Sequence, residues 1–242
     1  MKKKIAMALI ALASAYSATA QTNDKPAVIV ETTYMLPKHG MEEKFEAAVK
    51  AHNEKFHPAG AHVAGLRSVD YGDMAGWYVW VMGPTEYSAL DNQLGKTGGH
   101  DDDWNKTVDI YVDKYQAPVI YQYEPDYSFG MDIWKKSKHF EVWKVSIKSG
   151  QGTHFKALLA KLHKTYESMG NRAFMVYSNP LHTANSADYG LVWSFTSYDD
   201  WGKDWKIKEG FEKIYGEGSW QLALDEWNCT VENYSSEIRS FK

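Results

Sequence analysis

The sequence predicts an α+β fold of two tandem βαββαβ repeats whose antiparallel sheets pack face to face with their helices outside. An internal repeat is the first observation. Phe45, Ala48, Val49, His52 and Phe56 recur 110 residues later as Phe155, Leu158, Leu159, Leu162 and Tyr166, and the same shift relates Gly40 to Gly150. The second is their spacing, i, i+3, i+4, i+7, i+11, one buried stripe of an amphipathic helix in each half. The third is a set of short β-branched and aromatic runs in the same order around both stripes.

Residues 1–20 come first and read as a processing signal. Lys2, Lys3 and Lys4 precede an apolar stretch over 5–15, and Ala18, Thr19 and Ala20 offer small residues for cleavage before Gln21. This is the pattern of a secretory signal peptide, so the mature protein is expected in the periplasm or outside the cell. A strand over 28–36 then leads into the first helix, followed by strands over 63–70 and 77–82. Trp104, Asp109 and Tyr111 mark a second helical region, matched 116 residues later by Trp220, Asp225 and Trp227. A strand over 119–123 closes the first repeat, residues 21–125. Residues 126–138 are expected to join the halves. The second repeat, 139–242, has strands over 140–147, 173–178, 189–195 and 237–241. Its longer loop over 179–188 contains the turn formers Pro180, Asn185 and Ser186.

Composition fits a packed, water-soluble body. The chain has 242 residues, 44% hydrophobic and 24% charged, with 10 Trp, 16 Tyr and 9 Phe. That is enough apolar area for a core and too much for a disordered chain. No run after residue 20 is long and apolar enough to span a bilayer. The formal net charge of −4 becomes more negative once three lysines leave with the signal, which argues against nucleic acid as a partner. Cys229 is the only cysteine and cannot pair within its own chain. It reads as a half-buried residue near the last strand.

A ferredoxin-like unit carries both helices on one face of a four-stranded sheet and leaves the other bare. Two copies cover each other, so the chain is expected to be its own pseudo-dimer, with a further homodimer left open. The gap between the sheets is the natural place for a small-molecule ligand.

Several segments resemble the dimeric α/β-barrel superfamily. They are the turn glycine followed by Phe-x-x-Ala/Leu-Val/Leu, the Trp-bearing third strand ahead of Thr196-Ser197-Tyr198-Asp199-Asp200-Trp201, and Tyr123-Glu124-Pro125-Asp126-Tyr127-Ser128. That superfamily includes antibiotic-biosynthesis-type monooxygenases, haem-degrading oxygenases, and NIPSNAP-like and EthD-like proteins. These motifs specify a fold, and function by such analogy is a weak warrant. The haem-degrading members pair an Asn on the first strand with a Trp and a helical His. Neither 28–36 nor 140–147 contains an Asn. No cofactor is therefore predicted, and haem is left open by the resemblance alone.

Candidate site residues follow from polar and aromatic groups on the strands. Glu31 is the candidate base, Arg67 the stabiliser of an anion, and His52 the one histidine on a helix stripe. Tyr78, Trp80, Tyr121, Glu141, Trp143 and Trp193 are the candidate lining of a cavity for a flat apolar or aromatic molecule. His39 and His154 read as solvent-facing. His100-Asp101-Asp102-Asp103 reads as an acidic loop capping a helix that begins near Trp104, and no metal site is expected. Three functions stay open: an exported small-molecule binder, a cofactor-independent monooxygenase acting on a phenol or quinol, and an envelope interaction module using Trp201 and Trp205 on a late helix.

Overall fold

The computed structural model describes residues 26–95, 97–183 and 186–242; the signal expected over 1–20 lies outside them. In chain order the first half has β1 (Val28–Pro37), α1 (Glu42–Phe56), β2 (Ala64–Tyr71), β3 (Tyr78–Glu86), α2 (His100–Thr107), β4 (Val112–Tyr115) and β5 (Val119–Tyr123). A short α3 (Met131–Trp134) leads to β6 (His139–Ile147), α4 (Gly152–Met169), β7 (Phe174–Ser178) and β8 (Tyr189–Phe195). The chain ends with α5 (Tyr198–Trp201), α6 (Ile207–Tyr215), α7 (Ser219–Thr230) and β9 (Val231–Phe241). Among the described residues no helix is long and apolar enough to cross a membrane.

Eight strands close into an antiparallel barrel. The order runs β3-β2-β9-β6-β8-β7-β5-β1, and β1 returns to β3. Within the first half the succession is β5-β1-β3-β2, and within the second β9-β6-β8-β7. Counting only the barrel strands, and so leaving out β4, which adds to β1 outside the ring, each is the fourth strand of its half, then the first, third and second. The halves meet edge to edge as well as face to face. Arg67 pairs with Phe241 where β2 meets β9, and Tyr123 pairs with Tyr177 where β5 meets β7. Closure leaves these eight strands without a bare edge, which removes a route to aggregation.

Strand parity divides the core into layers. Outward-facing Met35, Leu66 and Tyr78 pack on Phe45 and Val49 of α1. Outward-facing Val145, Phe174 and Trp193 pack on Phe155 and Leu159 of α4. Inward-facing Phe140, Val142, Met175 and Val192 fill much of the lumen. The connecting segment 126–138 is more than a tether: Trp134 of α3 packs on Phe140 with ring centroids 4.3 Å apart.

Several details depart from expectation. The second helical region of the first half stops at Thr107, and Asp109–Tyr111 form a separate single turn. Buried Val108 and Val112 draw the chain back onto the sheet there. The run His100-Asp101-Asp102-Asp103 is the first turn of α2, where three aspartates suit the positive end of the helix. Trp201 and Trp205 do not share a helix, since α5 ends at Trp201. Cys229 is exposed on α7, whereas β9 starts earlier than the sequence suggested.

Candidate functional site

The candidate residues fall into three places. Val30, Thr32 and Tyr34 of β1 line the lumen, so the alternate residues Glu31, Thr33 and Met35 face outward. Glu31 and Trp80 border a cleft between the barrel wall and the α1–α2 layer. Arg67 and Tyr121 face the lumen. Glu141, Trp143 and Trp193 lie on the outer face of the second half, under its helices. Tyr78 is buried beneath α1 and donates to Glu46 at 2.5 Å.

The expected lining of one inter-sheet cavity by Tyr78, Trp80, Tyr121, Glu141, Trp143 and Trp193 is therefore corrected. Only Tyr121 points into the lumen. Likewise, Glu31 and Arg67 cannot act on one substrate as base and anion stabiliser, because the barrel wall separates them. In the second half, Trp193 donates to Tyr166 at 2.7 Å, and Glu141 accepts from Trp143 at 2.8 Å and Trp201 at 2.9 Å. Those groups hold each other by these hydrogen bonds.

The lumen retains a cavity of about 200 Å³. The charged side chains that line it, Arg67, Lys144 and Arg239, are all cationic. Glu237 accepts from Tyr34 at 2.6 Å, from Lys144 at 3.0 Å and from Arg239 at 2.6 Å. Arg67 has no carboxylate partner among the described residues. It donates to the Leu66 carbonyl at 2.9 Å and lies over the Phe241 ring at 3.8 Å. Burial, with Arg239 adding repulsion, pulls its guanidinium down to about 10, still protonated at neutral pH.

The cleft is larger, about 490 Å³, with Met35, Trp80, Met82, Trp104 and Tyr115 supplying apolar wall and Glu31, His57 and His100 supplying polar points. Trp80 is held by an Asn53 side chain at 3.0 Å and Trp104 by the Tyr115 hydroxyl at 3.1 Å. Burial raises the Glu31 carboxyl above its usual range.

Three histidines converge on the cleft floor. His52 lies on the buried stripe of α1, His57 caps that helix, and His100 opens α2 after Gly98 and Gly99, whose positive φ angles turn the chain. One ring nitrogen from each of the three lies within 4.8 Å of the others. His52 Nδ1 meets the Asp103 carboxylate at 2.9 Å, His57 Nδ1 the His62 carbonyl at 2.6 Å, and His100 Nδ1 the Asp101 carboxylate at 2.9 Å. Those partners only accept, so each Nδ1 carries a hydrogen, and in the neutral ring Nε2 keeps its lone pair. Burial pushes His57 down to about 4, against the His62 carbonyl that raises it. Burial also lowers His52, although Asp103 opposes it.

Sequence reasoning singled out His52 but missed the set, because His100 comes from a distant stretch that only folding brings to His52 and His57. No metal site is expected from the sequence, whereas these three imidazoles form a donor set that could hold one ion. Haem fits it poorly. An axial imidazole needs a clear plane over its nitrogen for the macrocycle, whereas His57 Nε2 and His100 Nε2 stand 3.0 Å apart.

No family model and no curated protein matches the chain. Solved structures do. A candidate monooxygenase from Lactobacillus acidophilus NCFM is 12% identical, with a TM-score of 0.54 over 90% of this chain and 94% of that one. An anthrone oxidase-like protein is 10% identical, with a TM-score of 0.53 over 90% and 92%. A chlorite dismutase variant from Candidatus Nitrospira defluvii is 10% identical, with a TM-score of 0.53 over 88% and 91%. At such identities the likeness establishes the shared dimeric α/β-barrel fold; the chemistry has to come from this chain's own residues.

Proposed function

We propose that this is an exported protein that binds a flat apolar or aromatic small molecule in the cleft between the α1–α2 layer and the outer wall of β1 and β3. The observation that carries the reading is the cleft: about 490 Å³, aromatic walls and a few fixed polar groups, as small-molecule sites require. Export is supported by the basic start and short apolar stretch of residues 1–20. The matching strand succession and the repeated helix stripe support a tandem duplication. In this reading the second half has lost the cleft to packed aromatics, and each chain keeps one site.

Titration of tryptophan fluorescence with phenols, quinols and polycyclic aromatics tests it. Saturable quenching at one molecule per chain is expected, weakened at least tenfold by Thr33→Trp, which fills the cleft. If Val81→Trp in the lumen abolishes binding while Thr33→Trp leaves it intact, the site is the lumen and this reading falls.

A second reading, a monooxygenase-like oxidoreductase, is favoured by Glu31. A half-buried carboxyl of raised pKa beside an aromatic cleft is suited to take a proton from a phenol. Oxygen uptake with a phenol panel checks it, and Glu31→Gln should lower the rate about 10²- to 10⁴-fold. Arg67 has no part in it, and Arg67→Met should leave the rate unchanged.

A further inference from the structure

We propose that His52, His57 and His100 form a binding site for one divalent transition-metal ion of the zinc class, with an open coordination position directed into the cleft. The argument rests on the donor set itself and is independent of which organic molecule the cleft accepts.

Metal-binding histidines characteristically donate their second ring nitrogen to a carboxylate or carbonyl, which fixes the tautomer and aims the ring. All three rings here meet that condition, through Asp103, His62 and Asp101. One ring nitrogen from each of the three converges within 4.8 Å in a partly dry space. His52 Nε2 is buried without any hydrogen-bond partner, in a ring only 1% exposed. An orphaned buried acceptor is costly, and the Nε2 atoms of His57 and His100, 3.0 Å apart, need a proton or a metal ion between them; a shared proton satisfies that pair but leaves His52 Nε2 orphaned. A metal ion answers both problems.

The dimensions suit a small ion. Zinc–nitrogen bonds of about 2.0–2.1 Å in a tetrahedron separate ligand nitrogens by roughly 3.3 Å. His57 and His100 are already close to that spacing. The widest pair, within 4.8 Å, needs to close by about 1.5 Å, within reach of side-chain rotation. Imidazole donors without thiolate suit zinc, copper, nickel or iron, whereas calcium and magnesium want oxygen. Asp101 and Asp103 place two negative charges one bond further out, the latter shared with Lys55 at 2.8 Å. His57 and His100 border the cleft while His52 lies behind them, so a fourth ligand has to come from the cleft side. Three histidines and an exchangeable position make an open site, the arrangement of catalytic rather than structural zinc.

The test uses the full-length mature protein, stripped with a chelator and titrated with Co²⁺ as a coloured stand-in for zinc, then with Zn²⁺ in competition. One Co²⁺ per chain is expected, with visible absorption of a low-coordinate centre that Zn²⁺ bleaches. His100→Ala and His52→Leu should each weaken binding at least 100-fold. Leucine is tolerable at 52 because Leu162 holds the matching position of α4, and circular dichroism confirms folding. Asp103→Asn should cost about 10- to 100-fold, and His154→Ala, remote from the set, should cost nothing. Failure of the stripped protein to take up either ion at micromolar concentration overturns the proposal, as does uptake that survives both histidine substitutions. Aromatic quenching is measured separately on stripped protein. Metal uptake without quenching keeps the centre and removes the ligand reading, and quenching without metal uptake does the reverse.

Discussion

Glu237 holds the two halves together through one carboxylate. Its side chain is 1% exposed and neutralises both Arg239 and Lys144, while Tyr34 of the other half donates to it. Burial alone would raise this carboxyl, but Arg239, Lys144 and the Tyr34 hydroxyl outweigh that and hold it below its usual range. A group held lower in the folded state stabilises above its unfolded value and loses that contribution as the pH falls through its folded one. Urea midpoints should therefore decline as the pH drops below the ordinary carboxylate range. Glu237→Gln should flatten that decline and cost up to about 3 kcal/mol at neutral pH, because it strands two partly buried cations. At this scale the sequence was a partial guide. It flagged Glu31, Arg67 and His52 as chemically unusual, but which barrel face each takes depends on a one-residue parity that pattern alone does not fix. Arg67 shows the result: chosen as a partner for Glu31, it lies across the wall from it.

Elements were more legible than residues. The strands over 119–123 and 189–195 coincide with β5 and β8, because β-branched and aromatic runs bounded by turn formers leave few alternatives. The helix stripe places Phe45, Val49, Phe155 and Leu159 in the core at 0% exposure. Its two turn glycines are explained by backbone geometry: Gly40 has φ 75° and Gly150 φ 79°, with open space where a side chain would stand. Sterics are thus no obstacle there, and only the left-handed backbone is. Gly40→Ala and Gly150→Ala should each cost about 1–2 kcal/mol by thermal or urea denaturation, with the fold unchanged. Equal costs would show that both turns do the same job. The α2 region was harder to read, because Trp104 and Tyr111 keep a helical spacing across a chain that leaves the helix at Thr107. His100 entered the cluster through that misread segment, taken for a loop when it is the opening turn of α2.

Closure governs the whole molecule. Each half alone would expose two strand edges, β2 and β5 in the first and β9 and β7 in the second, together with an inner face bearing Arg67, Tyr34 and Arg239. Neither half can bury those groups by itself, because the partner of each edge lies in the other half. Unfolding should accordingly be a single transition, with tryptophan fluorescence and far-UV circular dichroism giving coincident urea curves. Residues 26–125 and 139–242 produced separately should not persist as folded monomers. Each should self-associate or aggregate through its edges, and co-production should restore a 1:1 complex, read by native mass spectrometry. A first half that stays folded and monomeric would show that its sheet is stable without closure. That result would also change how the cleft is understood, because its walls belong to the first half alone: β1, β3, α1 and α2. Since no residue of the second half lines the cleft, restoration by the complex of aromatic or metal binding that the isolated first half lacks would show the second half acting as the barrel wall that holds β1 and β3 in register.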